Sequence, residues 1–197
     1  MILFPNGYSK LALFSFHFGF LAALGGLFST HAFAAHPFVA SAEASARTSL
    51  DVLSVDGIAM NAIQTATAEC LKSYSACEIK TVSTVRHNQV KKLGGEVQRS
   101  TEVSAVVQGL EGEPKRDTAS VITQDTRWNS TVGHSALEIQ GIRKDALFKA
   151  LAACYQKHTH CIDDGVKIIQ QGKASTDETT GKTYYTTGAR AQVLGFE

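Results

Sequence analysis

The residues best placed for chemistry are four cysteines in two equal pairs. Cys70 and Cys77 stand seven positions apart, and Cys154 and Cys161 repeat that spacing 84 positions later. Such pairs can be redox centres, metal clamps or disulfides. Redox pairs are typically C-x-x-C at a helix start, where the helix dipole lowers a thiol pKa. Here six residues intervene, and each first cysteine closes an alanine-rich run with helical spacing, where the dipole opposes a thiolate. Zinc motifs usually separate their cysteines by about two to four residues, and an oxidising compartment competes for the thiols. An even number of cysteines in matched pairs fits a disulfide framework. The repeated spacing favours the local pairing, Cys70–Cys77 and Cys154–Cys161. Closing a loop of about eight residues stabilises by roughly 2.5 kcal/mol in the chain-entropy treatment. No bound cofactor is expected.

"HTHCIDD" (158–164) gathers His158, His160 and Asp163 close to Cys161. Two imidazoles and a carboxylate can hold a divalent cation if the loop folds back. The competing reading is a solvated loop locked by Cys161, because Tyr74 and Ala76 stand 84 positions before the two histidines. "GHSAL" (133–137) resembles a nucleophile elbow but lacks the closing glycine, and no ordered His–Asp partners can be assigned to Ser135. Ser135 is expected in a loop or strand. Gly94-Gly95 reads as a hairpin turn, not a phosphate loop. "NST" (129–131) is a glycosylation sequon. Trp128 beside it, the only tryptophan, can anchor a partner, although its alternating position suits a core residue. Arg86, His87, Lys91, Lys92 and Arg99 surround the first hairpin, whereas Asp177 and Glu178 sit on the second. Tips of opposite charge can orient a partner, with Arg86, Lys91, Lys92 and Trp128 as its contacts; the plainer reading is two solvated loops.

These groups are carried by a pattern that occurs twice. Gly57-Ile58 aligns with Gly141-Ile142, Ala62-Ile63 with Ala146-Leu147 and Ala66 with Ala150, followed by both cysteines. After a two-residue gap "VQGLE" (107–111) meets "VLGFE" (193–197). Two copies of one supersecondary unit are expected. Apolar or small residues at 58, 62, 63, 66 and 70, and at 142, 146, 147, 150, 151 and 154, follow helical spacing. "EIKTVSTV" (78–85) and "EVQRSTEVSAVVQG" (96–109) read as strands, the second with Val97, Val103, Ala105 and Val107 on one face. "GVKIIQQ" (165–171) and "TYYTTGARAQVL" (183–194) are their counterparts. Strands are expected before each helix at "SLDVLSV" (49–55) and "SALEIQ" (135–140), with one more at "TASVITQDTRW" (118–128). Pro114 marks a linker. The expected fold is α+β: two tandem β-α-β-β repeats, 35–116 and 117–197, mainly antiparallel, with both helices on one face of a shared sheet and one local disulfide per repeat.

Residues 1–34 read as an export signal: Lys10, an apolar run over 11–29, and small residues at Ala32 and Ala34. His17 and Gly25-Gly26 interrupt the run and argue against a membrane anchor. Seven of the ten phenylalanines lie in this segment. Removing it takes away one basic residue, Lys10, from 19, against 18 acidic residues, so the remainder has a formal balance of zero. No basic stripe supports nucleic-acid binding, and no membrane span is expected in the mature chain. The expectation is a periplasmic or secreted, non-enzymatic protein that binds another envelope or extracellular protein. A metal-binding protein or metal-dependent enzyme built on the His158/His160 loop, and a secreted inhibitor or toxin-like protein, are the alternatives.

Overall fold

A computed structural model describes residues 37–93, 95–111 and 120–196. The expected export signal, 1–34, and the linker expected at Pro114 lie outside these residues. Among the described residues no helix is long and apolar enough to cross a membrane. The elements run β1 (Pro37–Ala46), α1 (Val52–Cys70), β2 (Ala76–Leu93), β3 (Glu96–Leu110), β4 (Ser120–Ser130), α2 (Ala136–Tyr155), β5 (His160–Thr176) and β6 (Thr183–Phe196). The fold is α+β, with two three-stranded antiparallel sheets ordered β1-β3-β2 and β4-β6-β5.

Three local expectations are corrected. "SLDVLSV" is not a strand: Asp51 caps α1 by accepting the Ser54 N–H, so Val52, Leu53 and Val55 are helical. "SALEIQ" likewise opens α2. Ser135 is its N-cap, and Glu138 returns the bond to the Ser135 N–H in a capping box. The first strand lies earlier, in "PFVASAEASA", whose alternating burial marks one covered face.

The stripes predicted for both helices are buried as expected. Each helix packs on its own sheet and against the other helix. Small residues make that approach close. A Cβ built on Gly57 would lie 2.9 Å from the Leu137 carbonyl carbon, and one on Gly141 the same distance from that of Leu53, with each oxygen nearer still. On β3, Val103, Ala105 and Val107 are buried, while Val97 near the strand start is exposed.

The expected shared sheet is replaced by two sheets whose edge strands β2 and β5 meet without a ladder between them. Both strands change register where they approach, between Ile79 and Thr81 and between Asp163 and Gly165. A bulge twists an edge away from straight pairing. Side chains therefore make the junction.

Candidate functional site

Each disulfide ties the end of a helix to the start of the following strand. Cys70–Cys77 and Cys154–Cys161 are formed, with Cα–Cα distances of 6.2 and 6.1 Å. All four sulfurs belong to buried residues, and no described cysteine is free. Beside the first bridge the Tyr74 ring lies on Gly109, and beside the second the His158 ring lies on Gly195. The ring fills the space that a side chain on the glycine would need. His158 thus occupies the place of Tyr74, and its Nε2 meets the Ser120 hydroxyl.

One set of titratable groups joins the two halves. Glu78, next to Cys77 on β2, has a side chain only 2% exposed. Its Oε1 accepts from the Tyr155 hydroxyl at the end of α2 at 2.7 Å. Its Oε2 is bonded to Lys80 Nζ and lies 3.4 Å from His160 Nδ1 on β5. Burial alone would raise this carboxyl; the bonds from Lys80 and Tyr155, the lysine charge and His160 outweigh it and hold the group below its ordinary value of 4.5. Tyr155 is pushed well above the ordinary phenol value by burial and then by Glu78. The carboxylate stays charged and the phenol stays a donor. This arrangement suits a clamp between β2, α2 and β5; it leaves neither group poised to exchange protons near neutral pH.

The cation set of the sequence reading is dispersed. His158 packs on Gly195, His160 faces Glu78, and Asp163 accepts the Gly165 N–H at 2.7 Å. Burial pushes the Asp163 carboxyl upward, against that bond and the Arg143 charge. Among the described residues no group of three or more His, Cys, Asp or Glu side chains is gathered for a metal ion.

Of the charges placed on the first hairpin, Arg86 pairs with Glu102 and approaches Glu43 at 3.7 Å, and Lys91 pairs with Glu43 at 3.2 Å. They bind their own sheet across its strands. Lys92 is exposed and lies opposite Val97. Trp128 is 39% exposed on the outer strand β4, not core, and its indole N–H donates to Asp145 on α2. Asn129 is exposed, with its Oδ1 accepting from Thr186.

Sequence reasoning missed Glu78 and Tyr155. The available signal was a mismatch: 84 positions later Ile162 replaces Glu78, and 84 positions earlier Leu71 replaces Tyr155. Comparison with known proteins finds no matching family model, no matching curated protein and no matching solved structure.

Proposed function

We propose that the chain is an exported, non-enzymatic binding protein, periplasmic or secreted, made of a duplicated β-α-β-β module and presenting a rigid surface to another envelope or extracellular protein. The observation that carries this reading is the pair of buried disulfides at equivalent positions, 84 residues apart. Covalent staples of this kind persist in oxidising compartments. They stiffen a scaffold whose core is built largely from alanine, valine and isoleucine.

The same element order and the same sheet order in each half support the duplication. So do the register shifts. Those between Ile79/Thr81, Thr84/Arg86 and Arg86/Gln89 recur, displaced by 84, between Asp163/Gly165, Ile168/Gln170 and Gln170/Lys173. A non-enzymatic role is supported by the Glu78 cluster, whose groups are spent on one another. The proposed contact is the outer edge of β4, where Trp128 gives an exposed aromatic anchor beside strand N–H and C=O groups suited to edge addition.

A photo-crosslinker at exposed Thr123 on β4 tests this in envelope extract. One discrete adduct that disappears in Trp128→Ala is expected. No adduct, or one indifferent to Trp128→Ala, removes the β4 edge as the docking surface.

A further inference from the structure

An open groove of about 510 Å³ lies beside the start of α1, lined by Leu50, Asp51, Val52, Val55, Asp56, Thr84 and His87, with a mostly apolar surface. That volume is within the range of small-molecule sites, about 300–1,000 Å³. We propose that this groove binds a small neutral molecule with a compact apolar body and one hydrogen-bond-accepting oxygen.

The walls are held in place from both sides. Asn88 is the one described non-glycine residue with positive φ, at 49°, and it sits in the bulge between Arg86 and Gln89. Its N–H donates to Thr101 Oγ1 at 3.1 Å, and its Oδ1 accepts the Leu50 N–H at 3.3 Å. The bulge therefore fixes both His87 and the loop that forms the opposite wall. With Oδ1 used on Leu50, the Asn88 amide nitrogen faces His87 Nε2 at 3.0 Å. In this tautomer Nε2 is the acceptor and the ring N–H, a donor, is on Nδ1. Thr84 adds a hydroxyl to the lining.

Charge selects against ions. Asp51 is engaged in capping α1, and the positive end of the helix offsets it. Asp56 is paired with Lys144 at 2.6 Å. Neither carboxylate is free to pair with a cation, and no lysine or arginine lines the groove to pair with an anion. The apolar side chains of Leu50, Val52 and Val55 remain, and Val52 is left 75% exposed.

The other half shows that the fold does not require this lining. Gly172, 84 positions after Asn88, repeats the positive φ at 61°, and its N–H donates to Thr187 as Asn88 donates to Thr101. The frame is the same, yet His134, Ser135, Gln140, Ile168 and Gln171 stand where Leu50, Asp51, Asp56, Thr84 and His87 do. His134 bonds Thr187 at 3.2 Å.

Titration of the oxidised protein by amide NMR, with three probes sharing one ring, tests the proposal independently of any protein partner. Cyclohexanone should give saturable shifts at Val55, Asp56, Thr84 and His87 with Kd on the order of 1 mM. Cyclohexylammonium and cyclohexanecarboxylate should bind at least ~10-fold more weakly. Thr84→Ile, which installs the other half's residue at an exposed position, should abolish the cyclohexanone shifts while the rest of the spectrum is kept; His87→Gln should weaken them and serves if the first variant misfolds. No saturable shift at these residues, tighter binding of either ion, or shifts unchanged in both variants would overturn it.

Discussion

Residues 37–111 and 120–196 share a frame and differ in what fills it. Position by position, 84 apart, Ile58 and Ile142, Ala62 and Ala146, Ala66 and Ala150, and both cysteines are alike and buried. The groups of the junction are unlike: Glu78 against Ile162, Leu71 against Tyr155 and Ala76 against His160. A first half paired with a copy of itself would bury Glu78 against Leu71 and Ala76, without the donors Tyr155 and His160. A second half paired with itself would set the Tyr155 hydroxyl against Ile162. The first mispairing leaves a carboxylate only 2% exposed with Lys80 as its one remaining donor, which costs more than the correct contact contributes. The lesson is that the core builds either half, whereas the junction determines which half meets which.

The largest effect should come from breaking the helix crossing that the halves share. Gly57→Ala and Gly141→Ala each drive a methyl into a backbone carbonyl. Each should cost about 3 kcal/mol in denaturant unfolding, because backbone cannot step aside as a side chain can. A cost near zero for either contradicts the close approach of α1 and α2.

Next is the junction. Glu78→Ala should cost about 3 kcal/mol, through the bonds to Tyr155 and Lys80 that are lost and the cavity left by a side chain only 2% exposed. Glu78→Ile combined with Tyr155→Leu and His160→Ala, which gives this contact apolar residues on both sides, should recover most of that loss. The pH dependence has a definite sign. A carboxyl held below 4.5 in the folded state stabilises fully above that pH, and its contribution disappears as pH falls through the lowered value. Acid unfolding of Glu78→Gln should therefore be less steep below about pH 4.5 than that of the parent.

Opening one staple should cost about 2.5 kcal/mol, and the two should cost nearly the same because their loops are equal. Paired Cys→Ala variants read by thermal unfolding compare them. The smallest effect should come from Asp163→Asn. Burial raises that carboxyl, so its charge opposes folding above its raised pKa. The substitution should be neutral or stabilising by less than about 1 kcal/mol at pH 7; a large loss would reveal a partner for the charge.

Much of the frame was legible from residue types alone. Helical spacing located both buried stripes, and the cysteine spacing indicated both bridges. The start of α1 reads as a strand because β-branched Val52 and Val55 favour strands locally, and the side-chain cap at Asp51 overrides that preference. The S-x-x-E of Ser135 and Glu138 was a usable warning. The strand β1 was overlooked because alternating alanine and serine carries little hydrophobic contrast, although burial follows it faithfully. His158 sits where the frame takes a ring against Gly195, just as Tyr74 sits against Gly109. Glu78 was illegible because a buried carboxylate depends on Tyr155 and His160, 77 and 82 residues away.

The central claim is that each half is closed by its own short covalent loop. Peptide mapping of the unreduced protein tests it most directly. Proteolysis should release Cys70 linked to Cys77 and Cys154 linked to Cys161, with no free thiol. A peptide joining Cys70 to Cys154 or Cys161, or four alkylatable thiols, would contradict it.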